Sequence, residues 1–313
     1  MRTFVTGGAG FIGSTLVDRL LAEGHEVDVI DDLSSGTLSN LAPARARADR
    51  SLSVHQLDIR SADVVGLMSR RRPDVVFHLA AQKAVPVSID KPVLDADINI
   101  LGSLQVLEGA RAAGARRVVY AASGGTLYGD VAVEDFPIRE SQPQRPTTPY
   151  GVSKKVVIDY LEMYRAMYAL EFSALALANV YGPRQDPEGE AGVVAIFAGR
   201  MLRGEPVTIY GDGNQTRDFV YVDDVVDALV RAGSRGGGLV CNIGTGRETS
   251  INEVFAAVAA AARYELPAGH GPPRAEVRRN VLDCARASMQ LGWQPWTGLA
   301  EGVGATVDYF RTT

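Results

Sequence analysis

Cysteine is almost missing from this chain of 313 residues, which has only Cys241 and Cys284. Two thiols without metal-ligand spacing build neither a disulfide framework nor a metal centre, so both read as free thiols of a reducing compartment and no metal site is expected. A basic excess is missing too: 32 Lys and Arg against 37 Asp and Glu give a formal net charge of -5. Without a basic footprint, nucleic acid is excluded as a partner. No apolar run reaches the roughly 18 residues of a membrane span. The opening Met1-Arg2-Thr3-Phe4-Val5 leads straight into a strand and a glycine turn instead of a signal peptide. Internal repeats and low-complexity segments are absent as well. Together these absences point to a protein of the cytoplasm. What is present, 46% hydrophobic and 22% charged residues, suffices for one large α/β domain with at most a small appendage.

The first positive signal is Gly7-Gly8-Ala9-Gly10-Phe11-Ile12-Gly13, between a short apolar strand (Thr3 to Thr6) and a helical pattern (Ser14 to Ala22). Gly7 and Gly10 permit a tight turn whose N–H groups can approach a pyrophosphate. Gly13 lets helix and strand pack closely, and the helix N-terminus attracts negative charge. A second strand, Glu26 to Ile30, ends in Asp31-Asp32. An acidic residue there accepts hydrogen bonds from a ribose and repels a 2′-phosphate, which selects NAD over NADP.

Further strands at Val54 to Leu57, Asp74 to Leu79 and Val118 to Ala121 alternate with helical stretches at Ala62 to Arg71 and about Leu94 to Ala113. Alternation of this kind predicts an α/β fold, a Rossmann-type doubly wound parallel sheet with its ligand outside the carboxyl ends of the strands. After the proline-rich loop Gly129 to Pro149, a helix start delivers Tyr150-Gly151-Val152-Ser153-Lys154. Tyrosine and lysine four apart share one helix face, and an ammonium held near a phenol favours the phenolate. Tyr150 is thus a candidate general base, its pKa drawn toward neutrality by Lys154.

Beyond Leu170 come a strand at Phe172 to Leu177, helices at Ala191 to Arg203, Val222 to Ala232 and Ile251 to Ala262, and strands at Val207 to Tyr210 and Leu239 to Ile243. Residues 1–178 are read as the NAD-binding domain. Residues 179–313 form mainly a smaller C-terminal α/β substrate lobe, with the chain free to cross between them.

The glycine turn, Asp31, Asp58, His78-Leu79-Ala80-Ala81, Ser123, Tyr150 and Lys154, in this order, resemble the extended short-chain dehydrogenases/reductases. Within them the chain is most similar to the nucleotide-sugar 4-epimerases, whose prototype acts on UDP-galactose and UDP-glucose. The more selective matches are Asn179 with Tyr181-Gly182-Pro183-Arg184-Gln185, Gly192 to Phe197, and Gln215 to Asp224. The resemblance implies that Tyr150 takes the proton of a sugar 4-hydroxyl while C4 passes hydride to tightly held NAD. The 4-keto sugar then turns over and is reduced from its other face.

The same resemblance places Phe11, Ile12, Asp32, Ser35, Gly36, Asp58, Ile59, Leu79, Ala80, Ala81, Lys83, Asn99, Tyr181, Tyr150 and Lys154 on the cofactor. It assigns Lys83, Ser123, Tyr150, Asn179, Val193, Val194, Phe197, Tyr210, Arg217, Arg274, Glu276 and Asn280 to a UDP-sugar. Arg217 and Arg274 would clamp the diphosphate, and Glu276 would meet the uridine ribose. Phe197 and Tyr210 could wall the base or simply be core, and Arg184 could be a pocket wall or a structural ion pair.

Two departures from the family pattern stand out. Gly124 occupies the place of the catalytic serine, leaving Ser123, or else Thr126, to supply that hydroxyl. Pro273-Arg274-Ala275-Glu276 is one residue shorter than the usual motif, which unsettles the alignment of Arg274. Gly124 and Gly125 also stand where dehydratases and decarboxylases carry acids, which disfavours those reactions. The alternatives are 4-epimerisation of UDP-glucuronate, with Arg184 near the carboxylate, and a non-catalytic NAD-binding scaffold. Asn280 replaces a large aromatic residue that excludes N-acetyl sugars, so UDP-N-acetylglucosamine is an expected further substrate. A homodimer is expected through about Asp97 to Ala113 and Gly151 to Met167, with Leu104, Leu107, Met163 and Met167 as apolar surface.

Overall fold

The computed structural model describes residues 1–48, 50–188, 192–273 and 277–312. Strand β1 (Arg2–Thr6) passes through the glycine turn into helix α1 (Phe11–Ala22). There follow β2 (Glu26–Asp31), α2 (Ala42–Arg47), β3 (Leu52–Gln56), α3 (Asp63–Arg71) and β4 (Val75–His78). Two short helices, α4 (Val85–Asp90) and α5 (Pro92–Ala96), lead through a π-helical turn (Asp97–Leu101) into α6 (Gly102–Ala113). The expected helical stretch from Leu94 to Ala113 is thus helical throughout, with a π turn at Asp97–Leu101 set between two α-helical parts, and Pro92 lies in its first turn.

Next come β5 (Arg117–Ser123), the long α7 (Pro149–Tyr168), β6 (Glu171–Leu177) and β7 (Asn179–Tyr181). The remainder holds α8 (Val193–Leu202), β8 (Thr208–Tyr210), β9 (Thr216–Tyr221), α9 (Val222–Ala232), β10 (Leu239–Ile243), β11 (Glu248–Ser250) and α10 (Ile251–Ala262). It closes with β12 (Gly269–Gly271), β13 (Arg279–Asn280), α11 (Ala285–Leu291) and α12 (Leu299–Thr312).

Seven strands form one parallel sheet in the order β10-β6-β5-β4-β1-β2-β3. Its central strands are continuous apolar runs, Val75-Val76-Phe77 and Val118-Val119-Tyr120, all buried. Such runs suit a parallel sheet covered by helices on both faces. Strand order reverses between β1 and β4, and a crevice opens at that switch point beyond the strand ends.

Strand β10, although late in the chain, is an edge of this sheet, paired with β6 from Leu239↔Ser173 to Ile243↔Leu177. Helix α9 also returns to this body: Asp227 accepts from Arg19 of α1 at 3.4 Å and from Arg231 at 2.6 Å. Residues after 178 thus contribute to both the large sheet and the smaller assembly.

The smaller assembly centres on β9, which pairs with β7, β11 and β13. The run Thr216 to Tyr221 reads as motif rather than strand in the sequence because its charged residues interrupt any alternation. One buried carboxylate holds the assembly together. Asp218 accepts from the Thr245 amide and hydroxyl, both at 2.7 Å, from the Gly246 amide at 3.0 Å and from the Leu282 amide at 3.3 Å. Burial pulls its pKa up, and these donors oppose that. Asp218→Ala is expected to lower the unfolding free energy by about 3 kcal/mol in chemical denaturation. Asp218→Asn, which keeps an acceptor oxygen, should lose less.

Candidate functional site

The crevice at the switch point is a cavity of about 690 Å³. One side is built from backbone. Gly7 has φ +70°, and a Cβ there would lie 2.8 Å from the Ala80 amide nitrogen; a Cβ on Gly13 would lie 2.1 Å from the Gly7 carbonyl oxygen. No side chain caps the N-terminus of α1 at Gly10, so the start of the helix is presented to the cavity. Uncapped N–H groups with a positive dipole end make a seat for a pyrophosphate. Asp31 closes this side: its carboxylate accepts from the Ala9 amide at 2.8 Å and the Leu33 amide at 2.9 Å. Burial raises the Asp31 pKa, while these two amides lower it. Asp58 is held by Arg60, which also reaches Asp97 at 2.8 Å. The turn, the bare helix end and the acid at the tip of β2 fit a dinucleotide.

The other side is built from side chains. Thr148 caps α7 by accepting from the Gly151 amide at 3.2 Å, and Pro149 occupies the first turn, so Tyr150 enters on a fixed helix start. Ser123, at the end of β5, lines the cavity with Tyr150 and acts to lower the phenol's pKa. Lys154 donates to the Ala121 carbonyl at 3.0 Å, and its Nζ lies 5.7 Å from the Tyr150 ring centroid. The expected depression of the tyrosine pKa does not hold in the protein alone. Burial, with the field of Asp95, pushes Tyr150 up to about 12 despite the opposing effect of Ser123, and burial drags Lys154 down to about 8. In a water-poor site both groups are driven toward their neutral forms.

The two candidate hydroxyls lie in different surroundings. Ser123 lines the cavity; Thr126 does not, and its Oγ1 is buried without a partner. A Cβ at position 124 would lie 2.5 Å from Leu282 Cδ1 and 3.0 Å from the Ala176 carbonyl oxygen, so a larger residue there would need the Leu282 side chain to move.

Beneath the cavity runs a polar chain that links His78 and Asn99 to Thr6, Ser103, Gln82 and Asp95, partners the sequence does not disclose. Thr6 Oγ1 accepts from the Leu79 and Ala80 amides, both at 3.2 Å, so its proton goes to His78 Nδ1 at 2.7 Å. Ser103 donates to the Asn99 carbonyl, so it accepts from His78 Nε2–H at 2.8 Å. The imidazole is therefore the neutral Nε2–H tautomer, consistent with burial pushing its pKa down to about 3. Asn99 sits in the π turn, a local distortion that often marks functional positions. It grips Gln82, donating to its carbonyl at 2.9 Å and accepting from its amide at 2.8 Å, and donates to Asp95 at 3.0 Å. Asn99 supports the cavity floor instead of lining it. Asp95 is a carboxylate only 1% exposed, whereas its neighbour Asp97 pairs with Arg60 at the surface.

Gly7, Gly10, Phe11, Ile12, Gly13, Asp31, Asp32, Ser35, Gly36, Asp58, Ile59, Leu79, Ala80, Ala81, Lys83, Ser123, Tyr150, Lys154 and Asn179 all line the cavity. Other candidates lie elsewhere. The Tyr181 ring is buried edge-on to Phe219 and Tyr221, and Phe197 packs edge-on to Phe255 at 6.0 Å. Val194 is fully buried, Val193 is half-buried beside it, and Tyr210 is partly exposed on β8. Arg217 and Asn280 are neighbours across β9 and β13; Asn280 is buried, its Oδ1 without a partner. Arg184 pairs with Asp18 of α1 at 2.6 Å and does not line the cavity. Arg274 and Glu276 lie outside the described residues. Among the described residues, no group of His, Cys, Asp and Glu is placed to hold a metal ion.

A family model for the NAD dependent epimerase/dehydratase family matches residues 3–244. The chain is 51% identical over 313 residues to a UDP-glucose 4-epimerase of Mycolicibacterium smegmatis, covering 99% of each. It superposes with TM-score 0.94 on a UDP-glucose 4-epimerase of Thermotoga maritima solved with UDP-glucose, at 45% identity over 100% of this chain and 99% of that one. A Thermus thermophilus UDP-glucose 4-epimerase solved with NAD gives TM-score 0.90 at 42% identity, covering 99% of each. This chain therefore belongs to the NAD dependent epimerase/dehydratase family.

The Lys154 shift sets a pH dependence. An unfolded lysine titrates near 10.4, against about 8 in the fold. Between those values the unfolded chain binds more protons, so this group makes stability rise with pH across that window. Lys154→Met should abolish the rise in urea denaturation of cofactor-free protein. At pH 7 the variant should be more stable than wild type by about 1–3 kcal/mol.

Proposed function

We propose that this chain catalyses NAD-dependent 4-epimerisation of a UDP-hexose, interconverting UDP-glucose and UDP-galactose through a 4-keto intermediate. The observation that carries the reading is one cavity with a dinucleotide cradle on one side and Ser123, Tyr150 and Lys154 on the other. NAD, when bound, supplies the hydride acceptor and donor and a positively charged ring.

The α1 N-terminus holds the pyrophosphate, Asp31 the adenosine ribose, and Lys154 the nicotinamide ribose. Tyr150 takes the proton of the 4-hydroxyl and returns it, and Ser123 orients that oxygen. Because Tyr150 is high in the protein alone, its ionisation relies on the positive charge gathered beside it in the loaded site. Lys83 and Asn179, which line the cavity, face the nucleotide sugar. Gly124 and Gly125 offer no acid for elimination, which favours epimerisation over dehydration. The uronate alternative has no support from Arg184, which is engaged by Asp18. By the family alignment the small residue at Asn280 lifts the exclusion of N-acetyl groups and extends the range to UDP-N-acetylglucosamine, although Asn280 is itself buried and does not line the cavity.

The enzyme is read as cytoplasmic: Cys241 and Cys284 are free, and among the described residues no helix is long and apolar enough to cross a membrane. It is also read as a homodimer through about Asp97 to Ala113 and Gly151 to Met167, the π turn with α6 and the length of α7. Of the expected contacts, Leu107 is core and Met167 is 65% exposed; Val93, Leu101 and Val152 extend the exposed apolar surface.

Purified protein without added NAD should convert UDP-galactose, and UDP-N-acetylgalactosamine more slowly. Tyr150→Phe should cut turnover at least about 10³-fold while UDP affinity is retained; undiminished turnover would overturn the assignment. Light scattering at micromolar concentration should give twice the mass of one chain, and a monomer would remove the dimer.

A further inference from the structure

The Lys154 ammonium stands over two aromatic faces. Its Nζ lies 4.9 Å from the Tyr120 ring centroid, closer than the 5.7 Å to Tyr150. Tyr120 is 1% exposed on β5, its Cα paired with that of His78, whose imidazole lies 5.6 Å away and tilted by 31°. Its hydroxyl is buried without a hydrogen-bond partner. A buried phenol that leaves its oxygen unpartnered gains nothing from being a tyrosine instead of a phenylalanine. The ring is what meets the chemistry: the negative face of its quadrupole attracts an ammonium within about 6 Å, most strongly where water is excluded.

We propose that Tyr120 is a positioning residue whose π face seats the Lys154 ammonium on the cavity floor and keeps it protonated there. The contact itself does not depend on the epimerase reading; only the use made of the lysine does. The groups facing the ammonium are Asp95 from α5, Tyr150 from α7, the Ala121 carbonyl from β5 and His78 from β4. Of these, Asp95 and the carbonyl also favour the charged form. His78 is held neutral by Thr6 and Ser103, so no competing cation lies behind the ring. A leucine at position 120 would fill much of the same space but offer no quadrupole.

The test isolates the lysine titration. Unfolding free energy is measured against pH in cofactor-free wild type, Tyr120→Phe and Tyr120→Leu, each beside its Lys154→Met double variant. The difference within each pair reports Lys154 alone. In wild type and Tyr120→Phe it should begin to change near pH 8. In Tyr120→Leu the onset should fall by about one pH unit. The alkaline limb of kcat/KM for UDP-galactose should move down with it. Tyr120→Met replaces the leucine variant if that fails to fold. An unmoved onset in the leucine or methionine variant overturns the proposal, as does an equal shift in Tyr120→Phe, which would assign the effect to the hydroxyl. Loss of stability uniform over pH means packing only and also overturns it. If no variant, nor wild type, epimerises UDP-galactose while the titrations separate as stated, the functional reading fails and this proposal stands.

Discussion

One ammonium inside a nearly dry sheet end governs the architecture around it. Taking Lys154 out of water disfavours its charge, and the surroundings answer from every side with groups that cost little to bury. A carbonyl at the edge of β5, two aromatic faces and a carboxylate on α5 all favour the cation, and the one nearby imidazole is locked neutral. The π turn follows from the same requirement. It brings Asn99 to Gln82 and Asp95 together, so the loop after β4 is fixed from below and not by whatever lies in the cavity.

The two sides of the cavity solve different problems. The dinucleotide side needs close approach of main chain to an anion, which glycines and an uncapped helix end provide without any charged side chain. The chemical side needs groups whose protonation can change, and such groups must be positioned by neighbours. That division explains why few charged side chains serve the first side and why a dense polar network lies under the second.

The same division decides what the sequence disclosed. Gly7, Gly10, Gly13 and Asp31 are local features, legible because the turn adjoins the helix start and Asp31 ends the very next strand. Tyr150 and Lys154 were legible for the same reason, being one helical turn apart. His78, Asp95 and Tyr120 act through partners far away in the chain, and each looks like a core or surface residue until the strands are paired. Sheet membership of β10 was hidden for a related reason: its partner β6 lies more than sixty residues earlier, and parallel pairing leaves no mark on the strand itself. The sign of the Tyr150 shift is not legible in the sequence, because spacing shows that a cation is near but not how strongly burial disfavours the phenolate.

The return of β10 to the edge of the nucleotide sheet also bears on how the chain can be divided. A fragment ending at residue 178 would leave the β6 edge open, a row of unpaired N–H and C=O groups flanked by apolar residues. It would also lose α9, which covers α1. Such a half would invite self-association, so the nucleotide-binding portion of this protein is not a transplantable module, and grafts that exchange one lobe for another must carry residues 222–243 with the first.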